Sequence, residues 1–315
     1  MLVSVVIPSY NHERFLRQAV DSVLSQSHRR IELVVVDDGS RDGSVGLLKQ
    51  IHDPRLVVHV QENQGAHAAI NRGLALAQGD VLAILNSDDV FHPDRISTCV
   101  RALDDEGSDL VCTWIEVVDA DGTSKGIKQG WKNMRPGWAS ASGPEAFWSG
   151  EDFTLNLLAG NFVSTTSNIV MRRSVYDRVG GMRNLRFAHD WDFMLRAAGE
   201  VMCGIVPRPL MQYRLHGSNT ITSNRAWMLF EACWVLAANF HRFEGRRLYA
   251  QDDVQDQIAM VRAIAASVRV GGCDRLLWML RQYLDARRAA GDPAPDEALL
   301  EDAVLRQAFI ELVDA

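Results

Sequence analysis

The chain has 315 residues, 47% hydrophobic and 23% charged, with a formal net charge of −7 and a pI of about 5.7. That length admits one large domain or two, and the composition is that of a soluble globular protein. The acidic balance argues against a general nucleic-acid binder, and no run reaches the roughly 18 apolar residues of a transmembrane segment.

Val3 to Ile7 is a short apolar run stopped by Pro8 and reads as a first strand. Met1 leads straight into it without a basic leader, so no signal peptide is expected. Ser9-Tyr10-Asn11-His12 is a loop. From Glu13, the residues Phe15, Leu16, Ala19, Val20, Val23 and Leu24 recur at spacings of three and four and predict a helix ending near Gln26. Ile31 to Val36 is a second strand, halted by Asp37-Asp38-Gly39-Ser40, and a helix follows around Val45 to Ile51. This alternation predicts an α/β fold with a parallel sheet and right-handed crossovers. Leu56 to Val60 is a third strand. Asn63-Gln64-Gly65 breaks the chain, and Ala66 to Ala77 is a helix closed by Gly79 in the C′ role.

Val81 to Leu85 reads as a strand buried on both faces, and it runs into two adjacent carboxylates, Asp88 and Asp89. Ionised carboxylates are costly to bury without a cation or hydrogen-bond donors. At the carboxyl end of a strand in an α/β sheet they face the crevice where ligands bind. Paired carboxylates suit a hard divalent cation, and such a cation suits a diphosphate. Taken alone, the pair also fits a solvated turn before the helix that begins near Pro93 and reaches about Leu103.

Leu110 to Val118 is strand-like. Residues 125 to 160 carry Trp131, Trp138 and Trp148 with little periodicity, and read either as a binding loop or as packing anchors. Ser164 to Met171 has strand character, and Ser174 to Val179 is a short helix before Gly180-Gly181. A helix starts near Asp190. Gly204 to Leu215 is a strand carrying Pro207 and Pro209, hence an edge. From Arg225 the composition turns helical, with segments near 225–243, 251–270, 274–290 and 296–312. Five cysteines without pairing or metal spacing predict buried thiols in a reducing compartment, the cytoplasm.

Pro8-Ser9-Tyr10, Asp37-Asp38 and Asp88-Asp89 all follow carboxyl ends of strands and can line one crevice. Together they fit a nucleoside diphosphate, while no P-loop or dinucleotide fingerprint is present. The segments Val3-Ser4-Val5-Val6-Ile7-Pro8-Ser9-Tyr10-Asn11, Val35-Val36-Asp37-Asp38-Gly39-Ser40, Asn63-Gln64-Gly65 with Ala69-Ile70-Asn71-Arg72-Gly73, and Asn86-Ser87-Asp88-Asp89 resemble, in that order, family 2 glycosyltransferases. The likeness covers roughly residues 2 to 220.

The resemblance implies the GT-A fold, a Rossmann-like αβα sandwich with a mainly parallel sheet over 1–222, with a nucleotide-binding half at about 1–118 and an acceptor-side half at about 119–222. A helical region follows over 223–315. It implies inverting sugar transfer from a nucleotide-diphosphate donor, a UDP-sugar by preference, to a glycan or lipid-linked acceptor, with Mn2+ or Mg2+. By that likeness Pro8 and Gly65 belong to the nucleotide site, and Tyr10 stacks on the base. Asp38 accepts the base N–H, and Asp37 shapes the loop. Asp88 contacts ribose or metal, and Asp89 and His216 bind the metal. Asp190 is the base, with Asp192 as its substitute. The family's first acidic position is Asn86 here, and His189 stands where a Glu is common.

Trp131, Trp138, Trp148 and His189 are candidates for the acceptor side. The C-terminal helices are open to three readings: covering the acceptor, forming an oligomer, or resting on the inner face of a membrane through Arg242, Arg246 and Arg247. Two other functions compete. A nucleotidyltransferase would want a Gly-rich, basic first loop, and a non-catalytic glycan binder would not need Asp38, Asp88, Asp89, Asp190 and His216 in one chain.

Overall fold

Strands β1 (Val3–Ser9), β2 (Ile31–Asp37) and β4 (Val81–Ile84) are the apolar runs read from the sequence, and nearly all their residues are buried. Burial on both faces is why they lack apolar–polar alternation. The computed structural model describes residues 1–133, 153–217, 224–243 and 273–313. Further strands are β3 (Leu56–Val60), β5 (Val90–Phe91), β6 (Leu110–Asp119), β7 (Ser124–Lys128), β8 (Val170–Arg172) and β9 (Cys203–Leu215). They form one sheet in the order β3-β2-β1-β4-β8-β6-β9-β5, with β7 beside β6. β3, β2, β1 and β4 are mutually parallel, β8 runs against both β4 and β6, and β9 is parallel to β6. The predicted α/β class with a mainly parallel sheet is what the chain adopts.

Helices α1 (Glu13–Leu24) and α4 (Arg95–Asp105) lie over one face. There Val5, Ile7, Leu33 and Val35 meet Leu16, Val20, Val23, Ile96 and Leu103 in one core. Each such fully buried aliphatic side chain stabilises the fold by about 1.5–3 kcal/mol. Helix α3 (Ala66–Leu76) contacts β1 and β2. Gly73 allows the approach, since a Cβ there would stand 2.2 Å from Val6 Cγ1. Helices α2 (Ser44–Lys49) and α6 (Arg173–Val179) complete this set.

Several expectations are corrected. Pro8 does not stop β1, which runs on to Ser9. Val6 O accepts Leu85 N, so the Pro8 nitrogen, two residues on, faces the same side, where β4 has already ended and no donor is needed. Gly79 is not a C′ residue, because α3 ends at Leu76 with Ala77 extended. Gly79 instead lies against β1, where a Cβ would fall 2.6 Å from Ser4 N and 2.8 Å from Leu2 O. Gly79→Ala is therefore expected to cost about 1–3 kcal/mol, read as a lower urea midpoint. Ser164 to Met171 is not one strand: Thr166–Asn168 is a 3-10 turn and only Val170–Arg172 pairs. Among the described residues, β9 has a strand on both sides only at Met211 and Gln212, and in its proline half the ladder to β6 slips between Val206 and Pro209. Met211 and Gln212 are covered by β5.

By contact the chain divides into two units. Among the described residues the first holds 1–133, 163–182 and 200–217, and the second 153–162, 183–199, 224–243 and 273–313. The second unit contains α5 (Phe153–Ala159), most of α7 (His189–Glu200), α8 (Arg225–Asn239) and helices Asp274–Ala289, Pro295–Glu301 and Ala303–Glu311. The helix expected over 296–312 is two, because the Asp302 carboxylate caps a fresh start by accepting Leu305 N at 2.9 Å. The helix expected over 251–270 lies outside the described residues, as do Arg246 and Arg247. Arg242 is half-buried and donates to Asn239 Oδ1 at 3.1 Å. No described helix is long and apolar enough to cross a membrane.

Burial, with the Arg288 and Arg242 charges next, holds the His241 imidazole at about 4, below the ordinary 6.5. Between those values the unfolded chain takes up a proton that the folded chain refuses. The stability this group contributes is therefore full above pH 6.5 and lost as the pH falls towards 4. His241→Gln should flatten part of the fall in Tm measured from about pH 7 to about pH 4.5. An unchanged slope would assign the loss to other groups.

Candidate active site

β2, β1 and β4 are neighbours, so the loops after them emerge together at the carboxyl ends of parallel strands. In the β2 loop the buried Asp37 accepts Ser40 N and Ser40 Oγ, at 2.8 and 2.7 Å, and Ser9 Oγ at 3.2 Å. It ties the β1 and β2 loops together. Asp38, 2% exposed, binds the loop before α3: its Oδ1 accepts Gln61 Nε2 and Gln64 N, and its Oδ2 accepts Gly65 N at 2.8 Å. Gly65 has φ 93°, a left-handed conformation that favours glycine, and this turns its N–H onto Asp38. A carboxylate offers about four lone-pair sites, so Oδ2 keeps one acceptor position. The Tyr10 ring is 43% exposed at the end of β1, and Pro8 sits two residues before it within the strand.

The turn after β4 is closed by Asp89 N donating to Asn86 O at 3.1 Å. Asn86 is an internal fastener. Its Nδ2 donates to Thr165 Oγ1, its Oδ1 accepts Thr166 Oγ1, and its backbone N donates to Ser167 Oγ. An amide can donate and accept at once, which a carboxylate could not do here. Asp89 is also internal, at 1% exposure: Oδ2 accepts Ser167 Oγ at 2.6 Å and Oδ1 accepts Arg214 N at 3.0 Å. Burial pushes its carboxyl well above the usual carboxylate range, and the neighbouring Asp88 charge adds to this. The structure thus spends Asp89 on the protein rather than presenting it with Asp88.

Asp88 is the carboxylate presented to His216, whose Nε2 lies 2.9 Å from Asp88 Oδ2. The pairing follows from β5, which runs antiparallel to β9 with Val90 opposite Gln212; the same register two residues on sets Asp88 beside Arg214. Arg214, 3% exposed, locks this corner. Its Nε donates to Asp88 O at 2.9 Å, one terminal nitrogen to Asp119 O and Ala120 O, and the other to Gln18 Oε1 at 2.8 Å. The His216 ring rests on Phe15, with centroids 4.9 Å apart, and meets His12 edge-on at 5.8 Å. His12 Nδ1 is 2.7 Å from Ser87 Oγ. One ligand atom each from His12, Asp88 and His216 lie within 4.8 Å of one another, a set able to hold a metal ion. Sequence reasoning missed His12, Phe15 and Arg214 in these roles. Only the Tyr213-Arg214-Leu215-His216 run signalled one of them.

The remaining predicted residues lie in other surroundings. Asp190, in the first turn of α7 within the second unit, is 5% exposed; its Oδ1 accepts Trp191 N at 2.7 Å and its Oδ2 accepts Asn161 Nδ2 at 3.1 Å. Its preceding loop is held by Glu231 of α8, whose carboxylate accepts Arg186 N, Phe187 N and Ala188 N. Burial raises the Glu231 carboxyl, and those three bonds draw it back. Asp192, the substitute base, is fully buried and paired with Arg196 at 2.9 Å and Arg183 at 3.3 Å, with Asn239 Nδ2 at 3.0 Å. Burial raises its carboxyl, but the Arg196 and Arg183 charges outweigh it and leave it below the ordinary value. His189 Nδ1 lies 3.2 Å from Leu185 O. Trp131 is half-buried in the turn after β7, in the first unit; Trp138 and Trp148 lie outside the described residues.

A mainly parallel α/β sheet with acidic and imidazole groups at adjacent strand ends, followed by helices, defines the GT-A class of glycosyltransferase fold. The family model for glycosyl transferase family 2 matches residues 4–180, more than half of the chain, and the chain belongs to that family. An uncharacterized glycosyltransferase of Nostoc sp. is 32% identical over 229 residues, covering 70% of this chain and 66% of that protein. The succinoglycan biosynthesis protein ExoO of Rhizobium meliloti is 35% identical over 123 residues, 39% of this chain and 35% of its own. The matches thus span less than two thirds of these relatives. Among solved structures, S. aureus TarS 1-349 in complex with UDP-GlcNAc superposes with a TM-score of 0.60 at 18% identity, covering 96% of this chain and 92% of that one. Mannosyltransferase PcManGT from Pyrobaculum calidifontis, in complex with GDP-Man and Mn2+, gives 0.55 at 17%, covering 99% and 85%.

Proposed function

We propose that this enzyme is an inverting, metal-dependent glycosyltransferase that takes its sugar from a UDP-sugar and passes it to a hydroxyl of a glycan or lipid-linked glycan. The observation that carries this reading is the convergence of the Tyr10, Asp38 and Asp88 loops at the ends of β1, β2 and β4, with His216 brought to Asp88 by β9. The spare acceptor position on Asp38 Oδ2 suits the N3–H of uracil, and the exposed Tyr10 ring offers a face for the base. Asp37 keeps both loops in register with β1. TarS, with UDP-GlcNAc, and PcManGT, with GDP-Man and Mn2+, lend the donor class and the ion their support.

Asp88 and His216 fit a divalent cation, combining one carboxylate with one imidazole. When bound, the cation neutralises charge on the departing diphosphate. The step assigned to Asp190 is removal of the acceptor hydroxyl proton as that oxygen attacks the anomeric carbon and the C–O bond to the diphosphate breaks. Single displacement inverts the anomeric centre. The Asn161 and Trp191 N–H bonds fix the Asp190 carboxylate for this role, and Glu231 fixes the loop that leads into it.

The test is thermal unfolding of the full chain with UDP, dTDP, GDP, CDP or ADP, each with Mn2+ or chelator. UDP with Mn2+ at a hundred times its Kd should add about 2.7 kcal/mol of stability, and chelator should reduce the shift. A larger shift with GDP would reassign the base. No shift with any nucleotide would overturn the donor reading.

A further inference from the structure

His12 lies in the loop after β1, and the molecule goes to some length to aim it. Asn11, just before it, has φ 52°, a left-handed conformation that asparagine tolerates better than other residues with a Cβ. That turn is held by Asn11 N donating to Ser40 Oγ at 2.9 Å and Asn11 Oδ1 accepting Arg41 N at 2.7 Å. The ring itself is pinned through Nδ1 at Ser87 Oγ, 2.7 Å away, and one of its nitrogens lies within 4.8 Å of ligand atoms of both Asp88 and His216. An imidazole held by a hydrogen bond with an outer partner beside a carboxylate and a second imidazole is the arrangement of a metal ligand with its orienting group. The ring also meets His216 edge-on, with centroids 5.8 Å apart, and His216 Nε2 is at Asp88 Oδ2.

We infer that His12 is a third protein ligand of the cation, so that the site holds one carboxylate and two imidazoles and selects a first-row transition-metal ion over magnesium. The inference deepens the donor-site reading above and rests on it. Magnesium takes oxygen ligands and sheds its water reluctantly, whereas imidazole suits manganese and the later metals of its row. Asp89, which would have supplied a further hard oxygen, is occupied by Ser167 and Arg214.

The experiment loads the full chain with Mn2+ in the presence of UDP and counts coordinated imidazole nitrogens by electron spin-echo envelope modulation. It also measures Mn2+ affinity against competing Mg2+ from the free-ion EPR signal. The unmodified protein should show two imidazoles. His12→Gln should show one, and its preference for Mn2+ over Mg2+ should fall by about tenfold or more. A single imidazole in the unmodified protein would overturn the inference without recourse to any variant. His216→Gln separates the two readings. If it loses Mn2+ while His12→Gln keeps both affinity and preference, the donor site stands and the His12 assignment falls. If the unmodified protein binds no Mn2+ with UDP present, both fall.

Discussion

Asp190→Asn is expected to lower kcat by about 100- to 10,000-fold while leaving the UDP- and Mn2+-dependent thermal shift in place. The amide keeps the size of the side chain and can still accept Trp191 N, so α7 should start where it does now. What it loses is the ability to take a proton. It also turns an N–H towards Asn161 Nδ2 unless the amide flips, so a modest stability change is part of the expectation. Asp192 makes a useful contrast: it is buried against Arg196 and Arg183, and that pairing leaves no access for a substrate hydroxyl. Steady-state turnover and nucleotide-induced unfolding shifts, measured on one preparation, separate the two effects. Full turnover by Asp190→Asn would remove the base from this residue. Lost turnover together with a lost nucleotide shift would point instead to a damaged fold.

Much of this was legible before the structure. The strands that position the donor loops are short, apolar and buried on both faces, so β1, β2, β3 and β4 stand out as runs, and α1 stands out by its spacing. What stayed hidden depends on pairing across long sequence separations. β5 is two residues long and has no pattern of its own, yet its register with β9 brings Asp88 to His216. Ser164 to Met171 looks like a strand because it ends in the apolar run Ile169, Val170 and Met171; the polar residues before them bond to Asn86, Asp89 and Arg95 and make a turn instead. His12 looked like a loop residue because nothing in Ser9-Tyr10-Asn11-His12 announces the left-handed turn at Asn11. Composition marks a boundary near residue 222, whereas contacts group 183–199 with the later helices, through bonds such as those of Glu231 to the loop before α7.

Arg214→Met should destabilise the protein by about 1–3 kcal/mol or more and weaken Mn2+ binding, although its guanidinium reaches Asp88 only at the backbone carbonyl. Its backbone N–H to Asp89 would survive, so the loss belongs to the guanidinium. That group supplies donors to Asp88 O, Asp119 O, Ala120 O and Gln18 Oε1 from a site 3% exposed, and it lies over the Phe15 ring at 5.1 Å. Methionine fills similar volume and leaves these acceptors without it, while removing a charge that lowers the Asp89 carboxyl. A buried ionic group often adds little net stability over a hydrophobic one, but removing one side of an established network carries the full penalty of what is left behind. The same change frees the Asp88 carbonyl and unseats Phe15, on which His216 rests, so the ligands should lose their fixed spacing. Arg214→Lys keeps the charge without the fork and should fall between the two proteins. Urea unfolding and Mn2+ titration give the two readouts. A wild-type urea midpoint for Arg214→Met would mean that the β5–β9 corner stands without its guanidinium. A lower midpoint with unchanged Mn2+ affinity would confine Arg214 to the fold and leave the ligand spacing to Ser87, Phe15 and the loop at Asn11.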